Sequence, residues 1–284
     1  MSLKNRIDFA GIISARMCNP NGDPTNGNAP RTDWDGYGII SDVCLKRKIR
    51  DRLQEAGYEI LMQSQGKQTD GLYSTYDRVK AESSLMEAQK QDDPDLFTKL
   101  AEKWIDIRSF GQVFAFKGDK KSASGVSVGV RGPVSIQFAR SLDIILEQYM
   151  QITKSLSLET DPKNPHGRDS TTMSIKHYIE RGVYTFFGSI YPKMAEKTDF
   201  SEEDAEAIKD AIVHMFVNDA SHARPAGSMT MEKVYWWKHN CPSGQYSPAA
   251  VYKTLNVTPL DNYPYYKVEL SNLPNLEPEI IDGW

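Results

Sequence analysis

Residues 18–38 read CNPNGDPTNGNAPRTDWDGYG, so dense in asparagine, glycine and proline that neither a helix nor an unbroken strand can run through them. Any fold this chain adopts must carry a long, turn-built loop near its start. The preceding segment, 7–15, is rich in isoleucine and small residues and predicts a strand. The following one, SDVCLKRKIRDRLQEAG at 41–57, predicts a helix: Ser41 is placed to cap it, Leu45, Ile49 and Leu53 recur every four residues, and Gly57 can end it. Strand, loop and helix form the frame on which the rest is read.

Residues 63–93 are polar with little periodicity and suggest an inserted lobe. Residues 95–104 predict a helix and 105–116 a strand entered through DIRSFG, with Gly111 allowing a bend. Val126, Val128, Val130, Val134, Ile136 and Phe138 predict core strands broken at Gly132 and Pro133. A polar excursion over 153–176, with DPKNPHGRDS in its middle, separates these from the aromatic strand GVYTFFGSI at 182–190 and suggests a projecting hairpin. Ser201 and Asp204 form a possible capping box for a helix lined by Ala205, Ile208, Ala211, Ile212 and Met215. Residues 231–238 predict a last core strand, followed by a less regular tail. The order fits an α+β, ferredoxin-like sheet enlarged by insertions, a layout many unrelated domains share.

The chain has 284 residues, enough for one large domain with insertions or two small ones. No apolar run is long enough to span a membrane, and Asp8 and Arg16 sit where a signal peptide needs an apolar core, so a cytoplasmic protein is expected. Cys18, Cys44 and Cys241 are far apart and predict reduced thiols. The net charge of −4 is not that of a free nucleic-acid-binding domain, but the charges are segregated: basic over 46–52 and acidic over 201–210.

The asparagine-rich loop leaves many backbone amides for a ligand. It fails as a calcium loop, because Pro24 and Pro30 fall where a glycine and a bidentate acid are needed. The helix after it carries Lys46, Arg47, Lys48, Arg50 and Arg52 on both flanks of its apolar arc, with only Asp51 as a local counter-charge. A solvated face and a phosphate-binding face are about equally good readings of that run. No G-x-S-x-G, Walker A or H-E-x-x-H sequence is present, GYGIIS at 36–41 lacks the third glycine of a dinucleotide loop, and the five histidines show no metal-ligand spacing. No metal or cofactor is expected. Asp23, Asp33 and Asp35 are read as turn residues rather than a carboxylate metal site.

Taken together, NPNGDP followed by GN and PR, SDVCLKRKIR, DIRSFGQVFAF, GVRGPVSIQ, STTMSIKH, GVYTFFGSIYP, NDASHARPAGSM, WWKHNC and the closing PEIIDGW resemble the type I-C member of the Cas-seven family, almost end to end and in the expected order. That resemblance implies a non-catalytic backbone subunit of a CRISPR Cascade complex. Its fold would be an RNA-recognition-motif-like (ferredoxin-like) palm, a helical finger lobe inserted at about 58–104 and a thumb β-hairpin at about 154–175. Several copies would line the guide crRNA as a helical filament and present its bases to a target DNA strand in an R-loop, with Cas-five and the large and small Cascade subunits as further partners. Carried over by position, Lys46 and Arg50, with Arg47 and Lys48 beside them, would contact guide phosphates. Arg31 and the loop with Asn19, Asn21 and Asn28 would hold the RNA backbone, Arg131 would add a contact, and Met173, Lys176 and His177 would wedge the duplex.

Two other functions compete. Type III relatives cut target RNA through an aspartate in the loop after the first strand, and Asp23 or Asp33 could serve here in a metal-dependent endonuclease. A generic scaffold would form its filament without nucleic acid.

Overall fold

The structure, a computed structural model, describes residues 2–82, 85, 96–116, 126–153 and 173–284. Its first part runs through β1 (Ile7–Cys18), a small loop ladder of β2 (Gly22–Asp23) and β3 (Ala29–Pro30), β4 (Tyr37–Ile40) and α1 (Asp42–Glu55). Next come α2 (Thr75–Ala81), α3 (Leu96–Lys103), α4 (Ile105–Phe110), β5 (Gly111–Phe116), β6 (Val126–Arg131), β7 (Val134–Ile136), β8 (Ala139–Ile144) and β9 (Glu147–Thr153). The last part holds β10 (Met173–Ile190), α5 (Pro192–Thr198), α6 (Glu202–Val213), β11 (Met229–Lys238), α7 (Pro248–Tyr252), β12 (Leu255–Pro259), β13 (Tyr266–Leu270) and β14 (Glu279–Asp282).

The main sheet is mixed in origin but antiparallel throughout, in the order β14-β11-β1-β10-β8-β4, with β7 and β9 also paired to β10. Alternation along β1 divides its residues between two cores. Ile7, Phe9, Ile13 and Ala15 join the cluster under α1 and α6, where Leu45, Ile49, Leu53, Ala205, Ile208 and Ile212 supply the helical side. Ala10 and Ile12 face the other way, into a cluster with Tyr235, Trp237, Val251, Leu255 and Tyr266. The C-terminal segment, expected to be irregular, therefore builds the second layer: α7, the β12–β13 hairpin and an edge strand, β14, on β11.

The three expected helices form, as α1, α3 and α6, and the first and last carry their expected caps. Ser41 Oγ accepts the Cys44 N–H at 3.2 Å. In α6 the Ser201 hydroxyl accepts the Asp204 N–H at 3.1 Å while Asp204 accepts the Ser201 N–H at 2.9 Å, a complete capping box. The reading of 105–116 as one strand is corrected: 105–110 are the helix α4, and Gly111, at φ 72°, ends it and starts β5. The fully buried Asp106 carboxylate accepts the Leu61 and Met62 N–H groups from within this helical turn, at 2.9 and 3.1 Å. The valines of 126–130 are not in the core sheet either, since β6 pairs only with β5 in a separate hairpin.

Leu61, Val79, Leu96, Phe97, Leu100 and Trp104 bury one another in a separate apolar cluster, so the insertion after α1 has its own small core. Most of 83–95 and all of 154–172, which hold parts of the expected finger and thumb, lie outside the described residues.

Candidate nucleic-acid interface

The asparagine-rich loop is ordered by its own side chains. Asn19 is buried: its N–H donates to Ala223 O at 2.9 Å and its Nδ2 to Asn28 O at 2.7 Å. Asn21 Oδ1 accepts both the N–H and the hydroxyl of Ser41, each at 2.9 Å, which joins the loop to the cap of α1. Those two asparagines thus hold the loop, and Asn28, left-handed at φ 63°, is the exposed one of the three. Arg31 stands 3.6 Å from Asp23 and donates its backbone N–H to Asn21 O.

The five cations of α1 divide into structural and exposed sets. Lys48 is buried and paired with Asp219, which also takes Arg224 at 3.1 Å, and its ammonium lies 5.2 Å from the Phe216 ring. Burial pulls the Lys48 pKa below that of an ordinary lysine, against the raising influence of Asp219. Arg50 is buried against Asp106 at 3.2 Å, stacked 4.9 Å from the Phe110 ring. Lys48 and Arg50, expected to face a phosphate backbone, are instead found desolvated in carboxylate pairs within the core. Asp51 is not the sole counter-charge, because Asp42, Glu55, Asp106 and Asp219 also serve. Lys46 pairs with Asp42 at 3.0 Å, Arg52 with Glu55, and Arg47 lies 3.7 Å from Asp51 while donating to Met62 O. Lys46 and Arg47 keep partial exposure and remain available.

A second surface forms where β9 and β10 leave the body of the sheet as a two-stranded ribbon, in register from Met173↔Thr153 to Ile179↔Glu147. Tyr149 (73% exposed), Met173 and Ile175 stand uncovered along it. His177 Nδ1 lies 2.6 Å from Glu147, its ring 6.4 Å from that of Tyr149, and Lys176 is half-buried next to it. The loop reaches this ribbon: a methyl at Gly27 would sit 4.0 Å from His177 Nε2. The loop with Asn28 thus approaches His177, with Lys176 beside it and Met173 four residues further along the same strand. Arg131 is paired with Gly111 at the end of the β5–β6 hairpin.

The aspartates of the loop are engaged in turns. Asp33 accepts the Asp35 and Tyr37 N–H groups at 3.0 and 2.9 Å and pairs with Arg140 at 2.8 Å. Asp23 accepts the Thr25 N–H and hydroxyl at 3.0 and 2.8 Å. The Arg140 hydrogen bond and the Thr25 hydroxyl, respectively, hold the two carboxyls below the usual carboxylate range. Among the described residues no three His, Cys, Asp or Glu side chains come together as a metal site, and no helix is long and apolar enough to cross a membrane. The three cysteines are free.

Sequence reasoning missed a buried polar cluster at the other end of β1. Asp8 takes Arg6 at 2.7 Å, His239 Nε2 at 2.9 Å and the Ser189 hydroxyl at 2.6 Å, and Ser189 also meets the Tyr252 hydroxyl. Gln245 N–H donates to His239 Nδ1, and the Nε2 on the other side of the ring lies 2.9 Å from Asp8 and 3.0 Å from Arg6 Nη2. This cluster fastens the C-terminal layer to the sheet.

The sequence model of the family described as CRISPR-associated protein Cas7 matches residues 5–271. A CRISPR-associated protein Cas7 of Haloferax volcanii is 30% identical over 224 residues, 73% of this chain and 63% of that protein, so the chain spans less than two thirds of that relative's length. Chains of two solved CRISPR RNA-guided surveillance complexes, one pre-nicking, superpose with a TM-score of 0.46 each, at 13% and 15% identity. The first covers 82% of this chain and 78% of its own, the second 91% and 77%.

Proposed function

The chain belongs to the CRISPR-associated Cas7 family, whose model matches it from residue 5 to residue 271, and from that premise we propose that it is a non-catalytic backbone subunit of a type I-C Cascade complex, working in the cytoplasm. It binds guide crRNA along the spacer, polymerises with copies of itself and presents the guide for pairing with a target DNA strand. The observation that carries this reading is the ribbon of β9 and β10. A projecting strand pair with Tyr149, Met173 and Ile175 uncovered and Lys176 and His177 at hand combines apolar surface with polar and cationic groups, which suits unstacked bases and their phosphates. Support for an RNA-recognition-motif-like palm comes from the order β11-β1-β10-β8, with α1 after β1 and α6 between β10 and β11. The separate apolar cluster supports a finger lobe at about 58–104, and the paired arms of β9 and β10 lead into the thumb at about 154–175.

Guide contacts in this reading come from Lys46, Arg47, Arg31, Asn28, Met173, Lys176 and His177, while Asn19, Asn21, Lys48 and Arg50 shape the surface from behind. Asp23 and Asp33 serve the loop's turns rather than cutting RNA. Purifying the protein expressed with its CRISPR array, with and without the Cas-five, large and small subunits, tests the whole reading. Large particles carrying repeat-spacer RNA of defined length are expected. A protein that stays free of RNA and monomeric even with those subunits present would overturn it.

A further inference from the structure

Arg16 on β1 and Arg181 on β10 are directly opposed in the central ladder of the sheet. Opposed residues hold their Cβ atoms roughly 4.5–5.5 Å apart, and like charges in that position repel. Both side chains are exposed, and among the described residues neither guanidinium has a carboxylate partner. Glu232, on the neighbouring strand β11, accepts the Ser14 hydroxyl at 2.5 Å. Two exposed arginines on opposed positions, without a carboxylate partner among the described residues, make a place where an anion is favoured.

The aromatic groups beside the pair indicate which anion. Arg181 lies 4.9 Å from the centroid of the Tyr265 ring, which fixes the plane of its guanidinium. Tyr265 in turn meets Tyr263 edge-on, with centroids 6.1 Å apart at 88°, and Tyr263 is 85% exposed. The turn is closed by Tyr265 N–H donating to Asn262 O at 2.7 Å and by Leu260 N–H donating to Tyr265 O at 2.9 Å, so the rings are presented on an ordered hairpin tip. An acidic peptide could neutralise the arginines but would leave the exposed ring unused. A nucleic-acid strand uses both, with a phosphate on the paired forks and a base on the ring.

We propose that Arg16 and Arg181 form a phosphate clamp for a single nucleic-acid strand, with Tyr263 as its base-stacking platform. The site lies at the foot of the β9–β10 ribbon, two residues beyond Ile179, where β9 pairing ends, and on the side where the β12–β13 hairpin meets the sheet. It extends the proposed function and rests on it, adding a contact patch that none of the sequence motifs marks.

The test measures binding of the full-length chain to labelled single-stranded uridine RNA over a range of salt. R16Q/R181Q should lower the slope of log K against log salt by roughly 0.7–1.4, one or two phosphates' worth for a single strand. Tyr263→Ala should weaken binding roughly five- to a hundredfold with the slope unchanged, the pattern of a lost stacking contact. R16K/R181K should keep the slope, which separates charge from a mere packing role. If the wild type binds RNA and the glutamine and alanine variants bind as tightly with the same slope, the clamp is wrong while the proposed function stands. If the wild type binds no RNA at any salt, the proposed function fails and the clamp falls with it. Displacement of RNA from the wild type by polyglutamate, at charge-matched concentrations, would assign the pair to an acidic peptide and overturn the nucleic-acid clamp.

Discussion

Replacing Arg50 by alanine should unfold the protein more readily without changing how it holds RNA. The guanidinium lies 3.2 Å from Asp106 and 4.9 Å from the Phe110 ring, and Asp106 is fully buried. Removing the cation leaves a carboxylate in the interior with only the Leu61 and Met62 amides for compensation. Breaking one side of a buried pair costs about 3–5 kcal/mol. With a urea dependence of about 1–3 kcal/mol per molar, the unfolding midpoint should fall by at least about 1 M. Lys46→Ala is the contrast: its pair with Asp42 is a half-exposed i,i+4 contact worth about 0.3–0.5 kcal/mol, so the midpoint should barely move. Urea titrations followed by tryptophan fluorescence, with RNA binding measured on the same preparations, distinguish the two. The reasoning is refuted if Arg50→Ala keeps the wild-type midpoint and instead lowers the salt slope of RNA binding by about 0.7, the signature of a lost phosphate contact.

Three further outcomes follow from the packing. Gly188→Ala should destabilise by about 1–3 kcal/mol or more in a thermal melt, since the added carbon would fall 2.2 Å from the Phe9 ring and 2.7 Å from Ser135 O, neither free to retreat. Ser201→Ala should cost about 1 kcal/mol by removing half of the capping box, and the melting temperature should fall by about 2–4 °C. Asp33, Asp23 and Asp70 are all held below their ordinary pKa of 3.8, first by hydrogen bonds from Arg140, Thr25 and Arg78 respectively. A lowered carboxyl contributes stability that is complete above its ordinary value and is lost as pH falls through the folded one. The urea midpoint should therefore hold steady with respect to these groups from pH 7 to about 5 and decline below pH 4.

Much of the frame was legible because it depends on local periodicity. The arc of Leu45, Ile49 and Leu53, the capping box at Ser201 and the asparagine-rich loop are each written within a few adjacent residues. The reading failed where a residue's fate depends on distant partners. Nothing near Lys48 and Arg50 announces that Asp219 and Asp106 will bury them, so the local sequence left a solvated face and a phosphate-binding face equally open. The Ile-Asp-Ile beginning at 105 mimics the alternation of a strand, yet Asp106 is needed inward to hold Leu61 and Met62, and the helical turn of α4 accommodates this. The C-terminal strands are too short to stand out before their partners are known. The opposition of Arg16 and Arg181 is a matter of register, which no single segment encodes.

β10 is unbroken from Met173 to Ile190, and it is clamped by β1 from Ile179 onward, with β7 and β8 on its other side further along. Mechanically the ribbon is a cantilever: its stiffness and direction are inherited from a strand rooted in the core, not from a hinge. At about 3.3 Å per residue, inserting two residues into each arm would move the free end outward by about 7 Å and keep every side chain on its own face, whereas inserting one would invert the faces beyond it. The distance from the body of the protein at which the proposed ribbon contacts are made is thus counted in strand residues, and it can change only in steps of that size.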